Sequence, residues 1–87
     1  MNRIAKSIQM IAWFDETGKI NPIKFKCEQE GGIKVISINK ILNRSYEKLA
    51  GNPMWKFTCS SIVDEAEYIY NVKYDLLNGK WLLFDKK

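Results

Sequence analysis

Hydrophobic and polar residues alternate with a period of two along much of the chain, which is the pattern of β-strands with one covered face. The clearest example is residues 68–76, where all even positions are apolar and the odd positions from 71 onward, Asn71, Lys73 and Asp75, are polar. A second apolar run, residues 81–84, follows after Asn78-Gly79. Because Asn and Gly tolerate the positive φ angles of a tight turn, the two runs predict a β-hairpin.

The register of this hairpin depends on the length of its loop. A two-residue loop places Tyr74 opposite Leu83, whereas a three-residue loop with a glycine bulge places Tyr74 opposite Leu82. We predict the two-residue loop, because an Asn-Gly pair is typical of it.

Four other segments have the composition of strands: residues 8–14, 20–27, 33–42 and 55–60. In the second of them, alternation places Ile23, Phe25 and Cys27 on one face. Pro22 has no backbone N–H group, so we place it at the strand start or on a sheet edge.

The segment at residues 33–42 has apolar side chains at both parities, with Ile33 and Val35 at odd positions and Ile36 and Ile38 at even ones. Such a strand is either covered on both faces or carries a bulge that switches its face. With the hairpin, these segments predict a mainly β fold of about six antiparallel strands. Short connections indicate a meander curled into a small barrel or half-barrel.

Residues 43–52 leave the secondary structure open. Tyr46 and Leu49 follow Leu42 at helical spacing and Gly51 is a suitable C-cap, which predicts one short helix near residues 44–50. The same residues could instead prolong the preceding strand into a long ribbon that turns at Gly51-Asn52-Pro53.

The length of 87 residues and the 46% share of hydrophobic residues predict a single folded domain over residues 1–87. A core of this size leaves little room for an enclosed site, so a binding site is expected to be a surface groove. The N-terminal residues lack a signal-peptide pattern, and no run approaches the ~20 apolar residues of a membrane span. We therefore expect a cytoplasmic protein without membrane contact, in which Cys27 and Cys59 are reduced, buried thiols.

The chain lacks the residues on which most catalytic sites depend. It contains no His, which excludes Ser/His/Asp and Cys/His arrangements and metal sites with His ligands. Carboxylates cluster at Asp15-Glu16, at Glu28 and Glu30, and at residues 64–67, but predicted turns are wet and do not raise a carboxyl pKa. We expect no enzyme activity and no cofactor; a metal-dependent enzyme that uses turn carboxylates is the least supported alternative.

The net charge is +4, and twelve of the fourteen cationic residues are Lys. Lysines on the non-core parity of the predicted strands, with one tryptophan beside them, are typical of β-barrels that bind single-stranded nucleic acid. The candidate residues for nucleic-acid binding are Lys24, Lys26, Lys56, Lys73 and Trp13. The same lysines equally fit the solvated face of a sheet.

Large aromatic residues are numerous for so small a core, and exposed ones concentrate binding energy in protein interfaces. Trp55, Tyr68 and Trp81 are therefore candidates for a protein-interaction surface. A sheet edge near residues 20–27 could accept a partner strand or support a homodimer. The favoured function is a non-catalytic binding or accessory module with a protein partner; the alternative is the nucleic-acid binder.

Five segments carry a family resemblance: FDETGKINPIKFK (14–26), KIL (40–42), LAGN (49–52), FTC (57–59) and the tyrosine-rich stretch before Lys80-Trp81. Together they resemble short β-rich proteins of Gram-positive bacteria whose domain has no assigned function. More distantly, their order resembles a small β-domain found beside damage-tolerance polymerase-like proteins. The resemblance implies a bacterial cytoplasmic protein, with Gly51-Asn52 in a turn and Trp81 in the core. It transfers no functional residue.

Overall fold

The computed structural model of the chain describes residues 5–29 and 31–85, which form seven antiparallel β-strands and no helix. The predicted all-β class is therefore confirmed. The strands are β1 (Lys6–Phe14), β2 (Ile20–Gln29), β3 (Gly32–Ser37), β4 (Lys40–Leu49), β5 (Asn52–Val63), β6 (Ala66–Asp75) and β7 (Lys80–Asp85). Their order in the sheet is β3-β2-β1-β7-β6-β5-β4.

A corner at Ile38 and Asn39 curls the sheet into a half-barrel. The corner joins β3 and β4, which are the opposite edges of the sheet. Ile38 N–H donates to the Ile23 carbonyl on β2 at 2.9 Å, whereas Asn39 N–H donates to the Ser60 carbonyl on β5 at 2.9 Å. The chain passes from one end of the sheet to the other within two residues, so the two ends must lie side by side here.

The same corner divides the strand predicted at residues 33–42, which is why the sheet has seven strands rather than about six. Ile36, before the corner, packs against the core, while Val35 is exposed. After the corner Ile41 packs against the core and Leu42 is exposed. The core-facing parity changes from even to odd, so the face does switch between Ile36 and Ile41. The switch occurs at a corner between two strands, and not at a bulge within one strand as expected.

Residues 44–50 belong to the β4–β5 hairpin, so the short helix predicted there is wrong and the ribbon alternative is correct. The ribbon turns at Ala50-Gly51, and not at Gly51-Asn52-Pro53 as expected. Ala50 and Gly51, between the strands, have φ angles of 53° and 79°. Positive φ at both positions is what a two-residue hairpin loop needs. Tyr46 lies opposite Trp55, with ring centroids 5.6 Å apart. Contacts of this kind across the sheet override the local helical spacing.

The C-terminal hairpin forms as predicted, but its register matches neither expectation. Tyr74 lies opposite Trp81 rather than Leu83 or Leu82. β6 ends at Asp75 and β7 begins at Lys80, so the loop between them contains four residues, 76–79.

Asp75 explains this longer loop. Its carboxylate accepts hydrogen bonds from the N–H groups of Leu77 at 3.0 Å and Asn78 at 3.2 Å, and the Asn78 side chain donates to it at 2.8 Å. Within the loop the positive φ falls on Gly79, at 67°, and not on Asn78. An Asx-type turn at Asp75 therefore replaces the Asn-Gly turn that local sequence favours.

A β-bulge at Ile23 changes the face of β2. The pairing of β2 with β1 shifts register at this residue. Pro22 before the bulge and Phe25 after it are both buried, whereas Ile23 is 41% exposed. The prediction that Ile23 shares a face with Phe25 and Cys27 is therefore wrong, because the inserted residue reverses the alternation.

The core lies inside the curl of the sheet and is rich in aromatic rings. A continuous series of ring contacts, with centroids 4.8–6.5 Å apart, crosses five strands. In order it contains Tyr46, Trp55, Phe57, Trp81, Tyr74 and Phe14. The two thiols, Cys27 and Cys59, are buried in the same core.

Candidate interaction surface

The outer surface of the first three strands carries four exposed apolar side chains, two on β1 and two on β3. Their alternation with core residues directs them away from the core. We define the β1–β3 outer face as the side chains of Ile11, Trp13, Lys24, Lys26, Ile33 and Val35. Ile11, Trp13, Ile33 and Val35 are 58%, 55%, 64% and 56% exposed.

Two lysines lie in the middle of this face. β2 runs between β1 and β3, so its outward side chains separate the two apolar pairs. Lys24 lies opposite Ile11 on β1, and Lys26 lies opposite Val35 on β3. Both lysines are exposed. Glu28, which is also exposed, follows them on β2 opposite Ile33. The face is therefore apolar on both sides, with two cations and one carboxylate along its centre.

The structure divides the predicted lysine stripe into two pairs. Lys24 and Lys26 share a face with Trp13, as expected, but Lys56 and Lys73 lie opposite each other on β5 and β6. Between β2 and β6 stand β1 and β7. The four lysines do not form one continuous stripe.

Lys73 is also engaged by its neighbours. Its Nζ lies 2.7 Å from a carboxylate oxygen of Glu47 and 4.8 Å from the ring centroid of Phe84. Its charge is thus paired within the chain. Of the predicted nucleic-acid residues, Lys24, Lys26 and Trp13 form a patch that a ligand could reach together.

The three aromatic candidates for protein binding fall into different environments. Trp81 is 8% exposed and belongs to the core, so its assignment to an interaction surface is wrong. Trp55 is half-buried between the rings of Tyr46 and Phe57. Tyr68 is 55% exposed. Because Trp81 and Trp55 pack in or against the core, the three rings do not form one exposed patch.

The predicted open edge near residues 20–27 is also wrong. β2 pairs with β1 and, from Lys24 onward, with β3 on its other side. Before Lys24, the Ile20 and Ile23 carbonyls on this side accept hydrogen bonds from Arg44 and Ile38. The edges of the sheet are β3 and β4. Chain order alone does not reveal this, because the corner places consecutive strands at opposite ends.

Asp15, one of the predicted turn carboxylates, stabilises its own turn. One carboxylate oxygen of Asp15 accepts hydrogen bonds from the Thr17 hydroxyl, the Thr17 N–H and the Lys19 N–H at 2.7–2.9 Å. The Thr17 hydroxyl, followed by the Lys19 N–H, lowers the pKa of Asp15 below its ordinary value. Among the described residues, no three His, Cys, Asp or Glu side chains are grouped so that they could hold a metal ion.

Two buried groups of the core, the Cys59 thiol and the Tyr70 hydroxyl, are held in their neutral forms. Burial raises the pKa of the Cys59 thiol to about 12 and, as the largest cause, that of the Tyr70 hydroxyl to about 12. The Ser61 hydroxyl donates to the Ser37 carbonyl and therefore accepts from the Tyr70 hydroxyl. A thiol with such a pKa is protonated at neutral pH, so Cys59 is not an activated nucleophile.

Arg44 is a structural residue that the sequence patterns did not single out. From β4 its guanidinium donates to the Ile20 carbonyl and, at 3.1 Å, to the Asn21 side-chain oxygen, both on β2. It also lies 5.6 Å from the ring centroid of Phe57. Arg44 thereby joins the edge strand β4 to the other end of the sheet. The sequence feature that could have pointed to this role is that Arg44 is an Arg in a chain whose cationic residues are mostly Lys.

Comparison of the chain with protein families, with curated proteins and with solved structures finds no significant match. The resemblance to β-rich proteins of Gram-positive bacteria therefore stays a prediction. The described part of the chain contains no helix that could span a membrane.

Proposed function

We propose that this protein is a small, non-catalytic binding module that docks another protein on the β1–β3 outer face. The observation that carries the proposal is the exposure of four large apolar side chains, Ile11, Trp13, Ile33 and Val35, on one face of three adjacent strands. Such side chains, and Trp above all, supply most of the affinity in protein interfaces once they are desolvated.

Charge indicates the chemistry of the partner. Lys24 and Lys26 lie between the two apolar pairs, and the whole chain carries a net charge of +4. A complementary partner presents an apolar surface with carboxylates at its centre. A second copy of this chain would instead bring the same lysines together, so we favour a different protein over a homodimer.

The test combines capture of a partner with quantitative binding. The wild-type chain, tagged at its C-terminus, is used to isolate a partner, which is then purified and titrated with the chain. We expect Trp13→Ala and Val35→Ser each to weaken binding about tenfold. Lys24→Glu should weaken it and reduce its dependence on salt. Ile62→Ala is the matched control, because Ile62 is 63% exposed on β5, outside this face.

Two results would contradict this proposal. One is equal affinity of the wild type and the outer-face variants for every purified partner. The other is concentration-dependent self-association in sedimentation that Trp13→Ala abolishes, which would make the face a homodimer interface.

Binding of single-stranded nucleic acid is a second candidate, supported by the exposed ring of Trp13 on the same face as Lys24 and Lys26. Aromatic stacking with neighbouring cations is the usual mode of such binding. With two lysines on phosphates, log affinity should fall with log salt at a slope of about −1.4. Fluorescence anisotropy with labelled oligothymidylate measures this slope. Undetectable binding at low salt, or equal binding by Trp13→Ala, would exclude it.

A further inference from the structure

A groove separates the second half of β1 from the β6–β7 hairpin. β1 pairs with β7 from Lys6 to Ile8, and Ile8 lies opposite Trp81. The pairing ends at Ile8, and β7 begins only one residue before Trp81, at Lys80, so residues 10–14 of β1 have no β7 residue opposite them. The resulting groove has a volume of about 580 Å³. Its apolar lining comes from Ile8, Met10, Ala12, Phe14, Tyr74 and Trp81.

The backbone of β1 has an open hydrogen-bonding side along this groove. Asp15 N–H donates to the Lys19 carbonyl, so Asp15 directs its backbone toward β2. Successive residues of a strand point their N–H and C=O groups to opposite sides of the strand. The inserted residue of the bulge, Ile23, lies in β2, so this alternation continues without interruption along β1. The N–H and C=O groups of Met10, Ala12 and Phe14 therefore point into the groove. Ile8 is also even-numbered, so its N–H and C=O groups point to the same side of β1, where they pair with β7.

We infer that this groove binds an extended peptide segment of another protein, which adds as a strand beside residues 10–14 of β1. A strand is the ligand whose alternating N–H and C=O groups match those of β1, which is the basis of β-strand addition. A purely apolar small molecule would shield the same N–H and C=O groups from water without forming hydrogen bonds to them. Burying unpaired polar groups in this way costs free energy. The groove thus favours a ligand that has both an extended peptide backbone and apolar side chains.

The lining defines the side chains of the bound segment. Alternate residues of the segment face Trp81 and Tyr74 in the floor and should be apolar. Lys80 lies at the rim, and Asp75 opposite it is already held by the N–H groups of its own turn. The residues of the segment that face outward should therefore include Asp or Glu.

The contact between Phe14 and Tyr74 limits the length of the segment. Their ring centroids are 6.0 Å apart across the far end of the groove. A segment of about five residues, at about 3.3 Å each, fits beside residues 10–14, up to this contact. The site is separate from the β1–β3 outer face, because one uses the odd-numbered side chains of β1 and the other uses its backbone and even-numbered side chains.

The first test needs no ligand and uses amide hydrogen exchange, followed by NMR, in the full chain. We expect the amides of Ala12 and Phe14 to exchange more than about tenfold faster than those of Ile8 and Trp13, which face β7 and β2. Equal protection of all four amides would mean that the edge is already paired and would overturn the inference.

The second test selects ligands from a displayed library of random octapeptides against the full chain. Peptides that alternate apolar and acidic residues should be enriched, and their binding should slow exchange at Ala12 and Phe14. N-methylation of alternate peptide amides, those that face β1, should weaken binding of a selected peptide about tenfold, because it removes their hydrogen bonds. N-methylation of the intervening amides should leave the affinity unchanged. Enrichment of no peptide, or equal effects of both parities, would overturn the inference.

Variants distinguish this groove from the outer face. Lys80→Glu, an exposed position, should weaken the acidic peptide, and Ala12→Leu should fill the groove and abolish binding. Ile11→Ala on the outer face should bind the peptide as the wild type does. Loss of peptide binding in Ile11→Ala with retention in Lys80→Glu would place the peptide on the outer face and refute the groove site.

Discussion

Arg44 is a single side chain that links the edge strand β4 to β2. Its guanidinium donates to a backbone carbonyl and to the Asn21 side chain, and it packs on the ring of Phe57. An Arg suits this position because its planar group presents several donors in a fixed geometry, whereas the Lys ammonium is a point charge on a flexible stem.

Replacement of Arg44 should destabilise the half-barrel measurably. We expect Arg44→Met to lower the free energy of unfolding by about 2 kcal/mol, because a hydrogen bond to a charged group is worth about 1.5–3 kcal/mol. Urea denaturation checks this value. Lys48→Met, an exposed cation on the same strand, is the matched control and should change stability little. Equal stabilities of Arg44→Met and the control would show that β4 is held without Arg44.

At the scale of elements, the β6–β7 hairpin shows how one carboxylate determines a loop. The Asn78 side chain, and then the N–H groups of Asn78 and Leu77, lower the pKa of Asp75 below its ordinary value of 3.8. The charged form is therefore favoured in the folded state. Such a group stabilises the fold above its unfolded pKa, and this stabilisation is lost as the pH falls through the lower, folded value.

Asp75→Asn tests this linkage, because the amide keeps an acceptor oxygen but removes the charge. We expect the variant to be less stable than the wild type at pH 7. The difference should decrease below pH 3.8 as Asp75 of the wild type becomes protonated. Thermal unfolding of both proteins across the acidic range measures it. A difference that stays constant down to the lowest pH would contradict the role of the charge.

The turns show how far local sequence predicts an element. Asn78-Gly79 correctly indicates a hairpin, but among the residues that the structure describes the two-residue loops with positive φ at both positions are Ala50-Gly51 and Asp64-Glu65. Neither pair is as favourable locally as Asn-Gly. The registers of the paired strands, set by which side chains enter the core, determine these turns instead.

For the whole molecule, the two thiols report whether the half-barrel unfolds as one unit. Cys27 on β2 is 4% exposed and Cys59 on β5 is fully buried, and both belong to the same core. Thiol reagents need an exposed thiolate, and burial raises the pKa of Cys59 to about 12. Labelling of Cys59 therefore requires opening of the core.

In Cys27→Ala and Cys59→Ala variants, the remaining thiol should react with Ellman's reagent at a rate governed by global unfolding. We expect the two rates to agree after correction for the stability of each variant, because small domains usually unfold cooperatively. Both rates should rise together in urea. Much faster labelling of Cys27 would contradict this, since it would mean that β2 and β3 open while the rest stays folded.

The candidate surface was only partly accessible to sequence reasoning. Alternation correctly placed Lys24 and Lys26 on the non-core face, because period two is a local property of a strand. It could not show that Trp81 fills the core while Trp13 is exposed, since both lie in apolar strands. The exposure of Ile33 and Val35 likewise depends on which parity of β3 faces the core, and this is decided only at the corner.

The sequence by itself determined the all-β class, the existence of the C-terminal hairpin and the alternation of most strands, because these follow from side-chain direction and turn chemistry within a few residues. Only the tertiary structure decided the corner at Ile38-Asn39, the strand order, the registers and the open side of β1. Each of these results from the closure of a curled sheet around one core. That closure brings together residues far apart in the chain, and no local pattern records which of them become neighbours.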